Sequence, residues 1–224
     1  MTDDRYRQQR ERLVRGLAVE VRDERVLDAM RAVPRERFVP PELRYLAYED
    51  EPLPIGEGQT ISQPMIVAMM TSALRLEGDE HVLEVGTGSG YQAAVLARLA
   101  NDVVSVEIME LLTERAAEVL RDLGITNVEV HQALESGQRL GWPDGAPYDA
   151  IIVTAAAPEA PLPLLEQLKV GGRLVIPIGS RYEQELCAVT KTAAGTSVER
   201  LGGCRFVPLL GPHGHAPAPE QPRS

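Results

Sequence analysis

Cysteine is nearly absent from this chain. Its 224 residues contain two, Cys187 and Cys204, too few and too far apart for a disulfide framework or a zinc cluster. A reduced, cytoplasmic setting without a metal is therefore expected. Long apolar runs are also missing: no stretch approaches the ~20 residues that cross a bilayer. The opening Met1-Thr2-Asp3-Asp4-Arg5-Tyr6 lacks the basic and apolar regions of a secretory signal. Positive charge is in deficit. The formal net charge of −10 argues against a nucleic-acid groove, because phosphate binding rests on clustered Lys and Arg. Arg5, Arg7, Arg10, Arg12 and Arg15 crowd the amino-terminal segment, but acids lie among them, as on a solvated helix face.

What is present is enough for a core. A hydrophobic content of 44% suits one α/β domain over residues 1–211, with a flexible tail at 212–224. Residues 5–33 read as two short helices, because Leu13, Leu17 and Val21, then Val26, Leu27, Met30 and Val33, recur at helical spacing. Residues 34–61 are rich in Pro and Gly and read as substrate-side loops. Ser62-Gln63-Pro64 opens a helix that Gly78 is suited to end. From residue 62 to 211 a nucleotide-binding core is expected, with strands at 81–86, 103–107, 127–131, 148–154 and 172–178 alternating with helices at 91–99 and 109–123. That alternation predicts a doubly wound, mostly parallel sheet. It closes with an antiparallel strand pair, Leu186–Thr190 and Val198–Val207.

The chemistry-bearing run is His81-Val82-Leu83-Glu84-Val85-Gly86-Thr87-Gly88-Ser89-Gly90-Tyr91, an apolar strand breaking into three alternate glycines. A tight strand-to-helix turn against a nucleotide tolerates little besides glycine. A dinucleotide fingerprint is spaced Gly-x-Gly-x-x-Gly, whereas this run reads Gly86-x-Gly88-x-Gly90 with Glu84 two residues ahead, which points to S-adenosylmethionine over NAD. Glu107 ends the next strand 21 positions beyond Gly86, where a carboxylate can accept both ribose hydroxyls. Its plain alternative is a solvated or helix-capping acid. Asp149, at the entry of a strand, reads as a structural hydrogen-bond partner, and Trp142 as a loop or core anchor.

Three segments resemble the protein-L-isoaspartate O-methyltransferase family: residues 52–64 (Pro-Leu-Pro-Ile-Gly-Glu-Gly-Gln-Thr-Ile-Ser-Gln-Pro), 82–97, and 148–156 (Tyr-Asp-Ala-Ile-Ile-Val-Thr-Ala-Ala). The first discriminates, because other S-adenosylmethionine enzymes share the glycine run but not Gln-Thr-Ile-Ser-Gln-Pro. Residues 171–179, Gln184 and Phe206-Val207-Pro208-Leu209 extend the match over about residues 34–211. The resemblance implies a Rossmann-like methyltransferase with a seven-stranded sheet, acting as a monomer; composition and charge add a cytoplasmic setting without nucleic acid or membrane. It would transfer a methyl group from S-adenosylmethionine to the free α-carboxylate of L-isoaspartyl residues in damaged proteins and peptides. The ester then collapses to a succinimide. It also implies Ser62 as the catalytic residue, with a helix N-cap as its local alternative. The implied cofactor residues are Glu84, Gly86, Thr87, Gly88, Ser89, Gly90, Glu107, Ile108, Leu134 and Glu135. The substrate residues are Gln59, Thr60, Ile61, Gln63, Pro64, Thr154, Ala155, Ala156 and Val207. Thr154–Ala157 reads equally as a small-residue turn. A carboxylate acceptor with a pKa of roughly 3.5 is ionised at neutral pH, so no general base is needed and none is evident.

The chain departs from the family after the third strand, where Ala133-Leu134-Glu135-Ser136-Gly137 replaces the usual Gly-Asp-Gly. Leu134 cannot accept a hydrogen bond from adenine through its side chain, and Glu135 is the neighbouring acid that could substitute. Two other activities remain open at this point: methylation of an aspartate in a dedicated precursor peptide, and a non-catalytic module that grips S-adenosylmethionine or peptides.

Overall fold

The computed structural model describes residues 2–133 and 139–215. Helices α1 (Thr2–Leu17) and α2 (Glu24–Ala32) open the chain. Asp23 caps α2: its Oδ1 accepts from the Arg25 and Val26 amides at 3.1 and 3.3 Å. Val26, Leu27 and Met30 then fall on one buried face. Two 3-10 stretches follow, Arg35–Phe38 and Pro41–Leu46. Residues 34–61 are not all loop, because β1 (Leu53–Gly56) and β2 (Gln59–Ile61) pair as an antiparallel hairpin. Gly56 and Gly58 provide positive φ at its turn, and such short strands carry too little alternation to be read from sequence.

Helix α3 (Pro64–Leu74) ends at Arg75, which adopts the left-handed conformation expected of glycine. Gly78 lies beyond the helix end. The central sheet combines β3 (His81–Val85), β4 (Asp102–Glu107), β5 (Val128–Gln132), β6 (Tyr148–Val153), β7 (Leu168–Gly179), β8 (Gln184–Thr192) and β9 (Gly195–Cys204) in the order β5-β4-β3-β6-β7-β8-β9. The first five neighbours are parallel, and β8 and β9 are antiparallel. The expected strand to Val207 stops at Cys204. Residues 206–209 leave β8 and join the loop after β6 instead, through an isolated bridge between Ala156 and Pro208. Helices α4 (Tyr91–Leu96), α5 (Glu110–Asp122) and α6 (Leu162–Gln167) connect the strands.

Both faces of the sheet are covered, so the strands read as continuous apolar runs. Val82, Val103, Ala150, Ile152 and Val175 pack beneath α1–α5, while Leu83, Val104, Val106, Ile151, Val153 and Leu174 face α6 and Tyr148. Each fully buried Val, Leu or Ile contributes about 1.5–3 kcal/mol of burial. Helix α4 carries the chain from β3 outward to β4, whereas β6 returns to the other side of β3. That reversal opens a crevice outside the carboxyl ends of β3 and β6, where ligands bind in open α/β sheets.

Candidate active site

The crevice is built on the glycine turn. Gly86, Gly88 and Gly90 all have positive φ, at 99°, 52° and 86°, and two of them are further constrained by neighbours. A Cβ on Gly86 would lie 2.3 Å from the Thr154 hydroxyl oxygen, and that hydroxyl is 2.6 Å from the Gly86 carbonyl and 3.2 Å from that of Val85. Thr154 therefore secures the end of β3 to the end of β6. A Cβ on Gly90 would lie 3.1 Å from Ala116 Cβ, so Gly90 serves the packing of the turn on α5 and does not line the cavity. Gly88 faces the hairpin, with Ile55 Cδ1 3.6 Å from where its Cβ would stand.

Glu107 is buried at the end of β4 and is held by three amides. Its Oε2 accepts from Gly88 at 2.8 Å, and its Oε1 accepts from Ile108 and Met109 at 2.9 and 3.1 Å. The same carboxylate thus shapes the glycine turn and the entrance to α5. Glu84 is different: it is fully buried and does not line the cavity. Ser105 donates to its Oε2 and lies 2.6 Å from the Thr87 hydroxyl, so Glu84 reaches the turn through a short chain of hydroxyls. Burial pushes the Glu84 carboxyl up to about 8, against the lowering effect of the Ser105 bond and with a smaller upward push from the charge of Glu107.

The hairpin supplies the opposite wall with Gln59, Thr60, Ile61 and Ser62. Ser62 does not cap α3. Gln63 occupies the N-cap position without a side-chain bond there, and the cap comes from Asp50 in the preceding loop, whose Oδ1 accepts from the Met65 amide at 2.8 Å and whose Oδ2 accepts from Gln63 Nε2 at 3.1 Å. Ser62 is half-buried and lines the cavity. Gln63 and Pro64 lie outside its lining.

Thr154 and Ala155 complete the wall beside β6, and Val207 joins them from the carboxy-terminal segment. Ala156 stays behind this wall: its amide donates to the Val207 carbonyl and its carbonyl accepts from Leu209, each at 2.8 Å. Gln184 clasps the same segment, accepting from the Phe206 amide at 2.6 Å and donating to the Phe206 carbonyl at 3.1 Å. Gly86, Thr87, Gly88, Ser89, Glu107 and Ile108 also line the cavity, whereas Leu134 and Glu135 lie outside the described residues. Sequence reasoning missed several contributors. Gln92, the second residue of α4, lines the cavity while donating to Thr71 Oγ1 at 2.9 Å, and Val67, Met109, Arg139, Leu140 and Leu209 add to the walls. Gln92 follows Tyr91 directly in the helix opened by the glycine turn, which was the available signal; Arg139 carried none.

The family profile described as protein-L-isoaspartate(D-aspartate) O-methyltransferase matches residues 8–214. The chain belongs to this family. A protein-L-isoaspartate O-methyltransferase 1 from Rhodopseudomonas palustris (strain HaA2) is 52% identical over 220 residues, covering 96% of this chain and 89% of that relative. Among solved structures, a protein-L-isoaspartate O-methyltransferase superposes with a TM-score of 0.81 at 33% identity, covering 92% of this chain and 67% of the other. A second, from Plasmodium falciparum and in complex with S-adenosyl-L-homocysteine, gives 0.76 at 26% identity, covering 88% and 96%. The methyltransferase fold is thus shared along nearly the whole chain.

The observed cavity suits the methyl donor of such a methyltransferase. Glu107 presents a carboxylate whose geometry is fixed by three backbone donors. Ile108, Met109, Ala133 and Leu140 form an apolar pocket beside it, and such walls with a few placed polar groups suit a nucleoside.

Proposed function

We propose that this chain transfers the methyl group of S-adenosylmethionine to the free α-carboxylate of L-isoaspartyl residues in damaged proteins and peptides, initiating their repair through a succinimide. One observation carries the reading: Ser62, from the segment that sets this family apart, faces the same cavity as the glycine turn and Glu107. The bound cofactor supplies an electrophilic methyl group on a sulfonium sulfur. An acceptor carboxylate oxygen forms the new C–O bond as the C–S bond breaks, leaving a methyl ester and neutral S-adenosylhomocysteine.

The residues of this chain have four tasks. Glu107 accepts from the ribose. Its amide partners use three of about four lone-pair sites, two on Oε1 and one on Oε2, so the free site on Oε2 would accept one hydroxyl and a second would have to share a lone pair already in use. Ile108, Met109, Ala133 and Leu140 enclose the adenine. Gly86 and Gly88 would let the donor lie against bare backbone between Thr87 and Ser89. Ser62 donates its hydroxyl to one acceptor oxygen and leaves the other aimed at the methyl carbon, while Thr60, Ile61, Thr154, Ala155 and Val207 line the acceptor side. Since the acceptor is already ionised, the protein contributes alignment and exclusion of water as opposite charges combine.

We further infer a cytoplasmic monomer that binds neither nucleic acid nor membrane. The net charge of −10 and two unpaired cysteines support this, as does the lack, among the described residues, of a helix long and apolar enough to cross a membrane. The test of function is transfer of labelled methyl to paired peptides that differ only in an isoaspartyl or aspartyl linkage. Labelling of the isoaspartyl peptide alone is expected; preference for aspartate would move the chain to tailoring of a precursor peptide, and no labelling of either would leave a binding module.

A further inference from the structure

Among the described residues, Arg35 has the largest of the fully buried side chains, with no exposed surface. Buried arginines are normally paired with a carboxylate, yet no acid among the described residues lies within ion-pair distance of it: Asp50 acts on it only from farther away, the Tyr91 side chain adds support, and its Nη1 meets no hydrogen-bond acceptor. Desolvating a guanidinium on these terms is costly, and an apolar side chain of similar volume would often hold a core as well or better. Packing is therefore a poor account of this residue.

The contacts that Arg35 does make are specific. Its Nε donates to the Ala47 carbonyl and its Nη2 to the Ser62 carbonyl, both at 2.9 Å. The guanidinium carbon stands 4.9 Å from the centre of the Tyr91 ring. These partners are far apart in sequence and belong to different walls. Ser62 ends the hairpin wall. Tyr91 follows Gly90, opens α4 and lines the cavity from the cofactor side. Ala47 begins the short stretch leading to Asp50, which caps α3 directly after Ser62. A planar fork with several fixed donors can hold two carbonyls and lie over an aromatic face at once, and a lysine ammonium cannot reproduce that geometry.

We infer that Arg35 is a positioning residue for methyl transfer: by tying the Ser62 peptide to the Tyr91 ring, it sets the distance and direction of the Ser62 hydroxyl relative to the methyl donor. This inference rests on the proposed contact between Ser62 and the acceptor carboxylate. A small displacement of a donor in such a site is enough to slow the reaction by one or two orders of magnitude while leaving ground-state binding nearly intact.

The test is a double-mutant cycle of Arg35→Lys and Ser62→Ala, with kcat and KM for an isoaspartyl peptide, calorimetry with S-adenosylhomocysteine, and thermal midpoints measured for each protein. Arg35→Lys is expected to lower kcat by about tenfold or more, with KM and S-adenosylhomocysteine affinity held within about twofold. On the Ser62→Ala background the same change should alter kcat by less than about twofold, because the group being positioned is gone. A residue that merely stabilises the chain would lower the midpoint and act equally on both backgrounds. Full activity of Arg35→Lys, or equal effects in the two arms, would overturn the inference while leaving the role of Ser62 standing. Ser62→Ala at full rate would remove both. Arg35→Gln, neutral and able to reach only one carbonyl, replaces Arg35→Lys if that protein does not fold, and failure of both to fold assigns Arg35 to folding and defeats the proposal.

Discussion

The two ends of the parallel strands are built on opposite plans. At the amino ends, polar side chains answer one another. The His81 ring hydrogen-bonds to Asp102, meets the Gly145 carbonyl at 2.9 Å and stacks on Tyr148 at 4.6 Å. Asp149 accepts from the His81 amide at 2.9 Å and from Lys169 at 2.7 Å. At the carboxyl ends of the same strands stand Gly86, Glu107 and Thr154, whose partners are mainly backbone amides and carbonyls. One end spends its polar groups closing the sheet. The other keeps its walls thin and its acid fixed by the main chain, so a ligand can approach.

Substitutions at the carboxyl ends should therefore harm binding and turnover, and those at the amino ends stability alone. The largest effect is expected for Gly86→Ala, whose new methyl would meet the Thr154 hydroxyl in a backbone conformation at φ 99°. Strain and overlap together should cost about 2–4 kcal/mol, read as a lower thermal midpoint with S-adenosylhomocysteine binding lost in calorimetry; wild-type affinity would break the account of the turn. Next comes Glu107→Ala, which strips three amides of their acceptor. It should weaken S-adenosylhomocysteine by about tenfold or more, given the strength of bonds to a charged group. Unchanged affinity there would remove Glu107 from the cofactor site.

Asp149→Asn tests the other end. It removes a partly exposed ion pair, so a loss of up to about 1 kcal/mol in denaturant unfolding is expected, with kcat unaltered. A fall in kcat without a fall in stability would erase the contrast between the two ends. A further effect is one of pH. Folded Glu84 stays protonated to about pH 8, against 4.5 in its ordinary setting, so folding takes up a proton in that window. This group's contribution to stability is complete below the lower value and is lost as pH rises towards the upper one. Glu84→Gln carries no such group, and the thermal midpoint of the native chain should fall relative to that of the variant across the window. Parallel pH profiles would show that Glu84 is ionised when folded.

Much of this was legible because it is local. Strand alternation, the spacing of Gly86, Gly88 and Gly90, and the acid closing β4 each arise from side-chain direction or backbone freedom within a few residues. The resemblance of residues 52–64 pointed to Ser62, which lines the cavity. The reading failed where the decisive partner was remote. A helix cap stayed open as the local alternative for Ser62 until the loop brought Asp50 to the Met65 amide. Arg75, not a glycine, turned out of the helix. Residues 206–209 left the sheet because Gln184 and Ala156 offer their backbone and side-chain bonds.

The amino-acid order by itself determined the alternating strands and helices, the glycine turn and the placement of Glu107 at a strand end. All of these are written in periods of two or 3.6 and in residues with unusual backbone freedom. Only the tertiary structure decided that Thr154 would lock Gly86, that Glu84 would stay beneath the cavity, and that Arg35 would join Ser62 to Tyr91. Those contacts link segments dozens of residues apart, and which segments meet is settled by how the buried faces pack, a property that no short stretch of chain encodes.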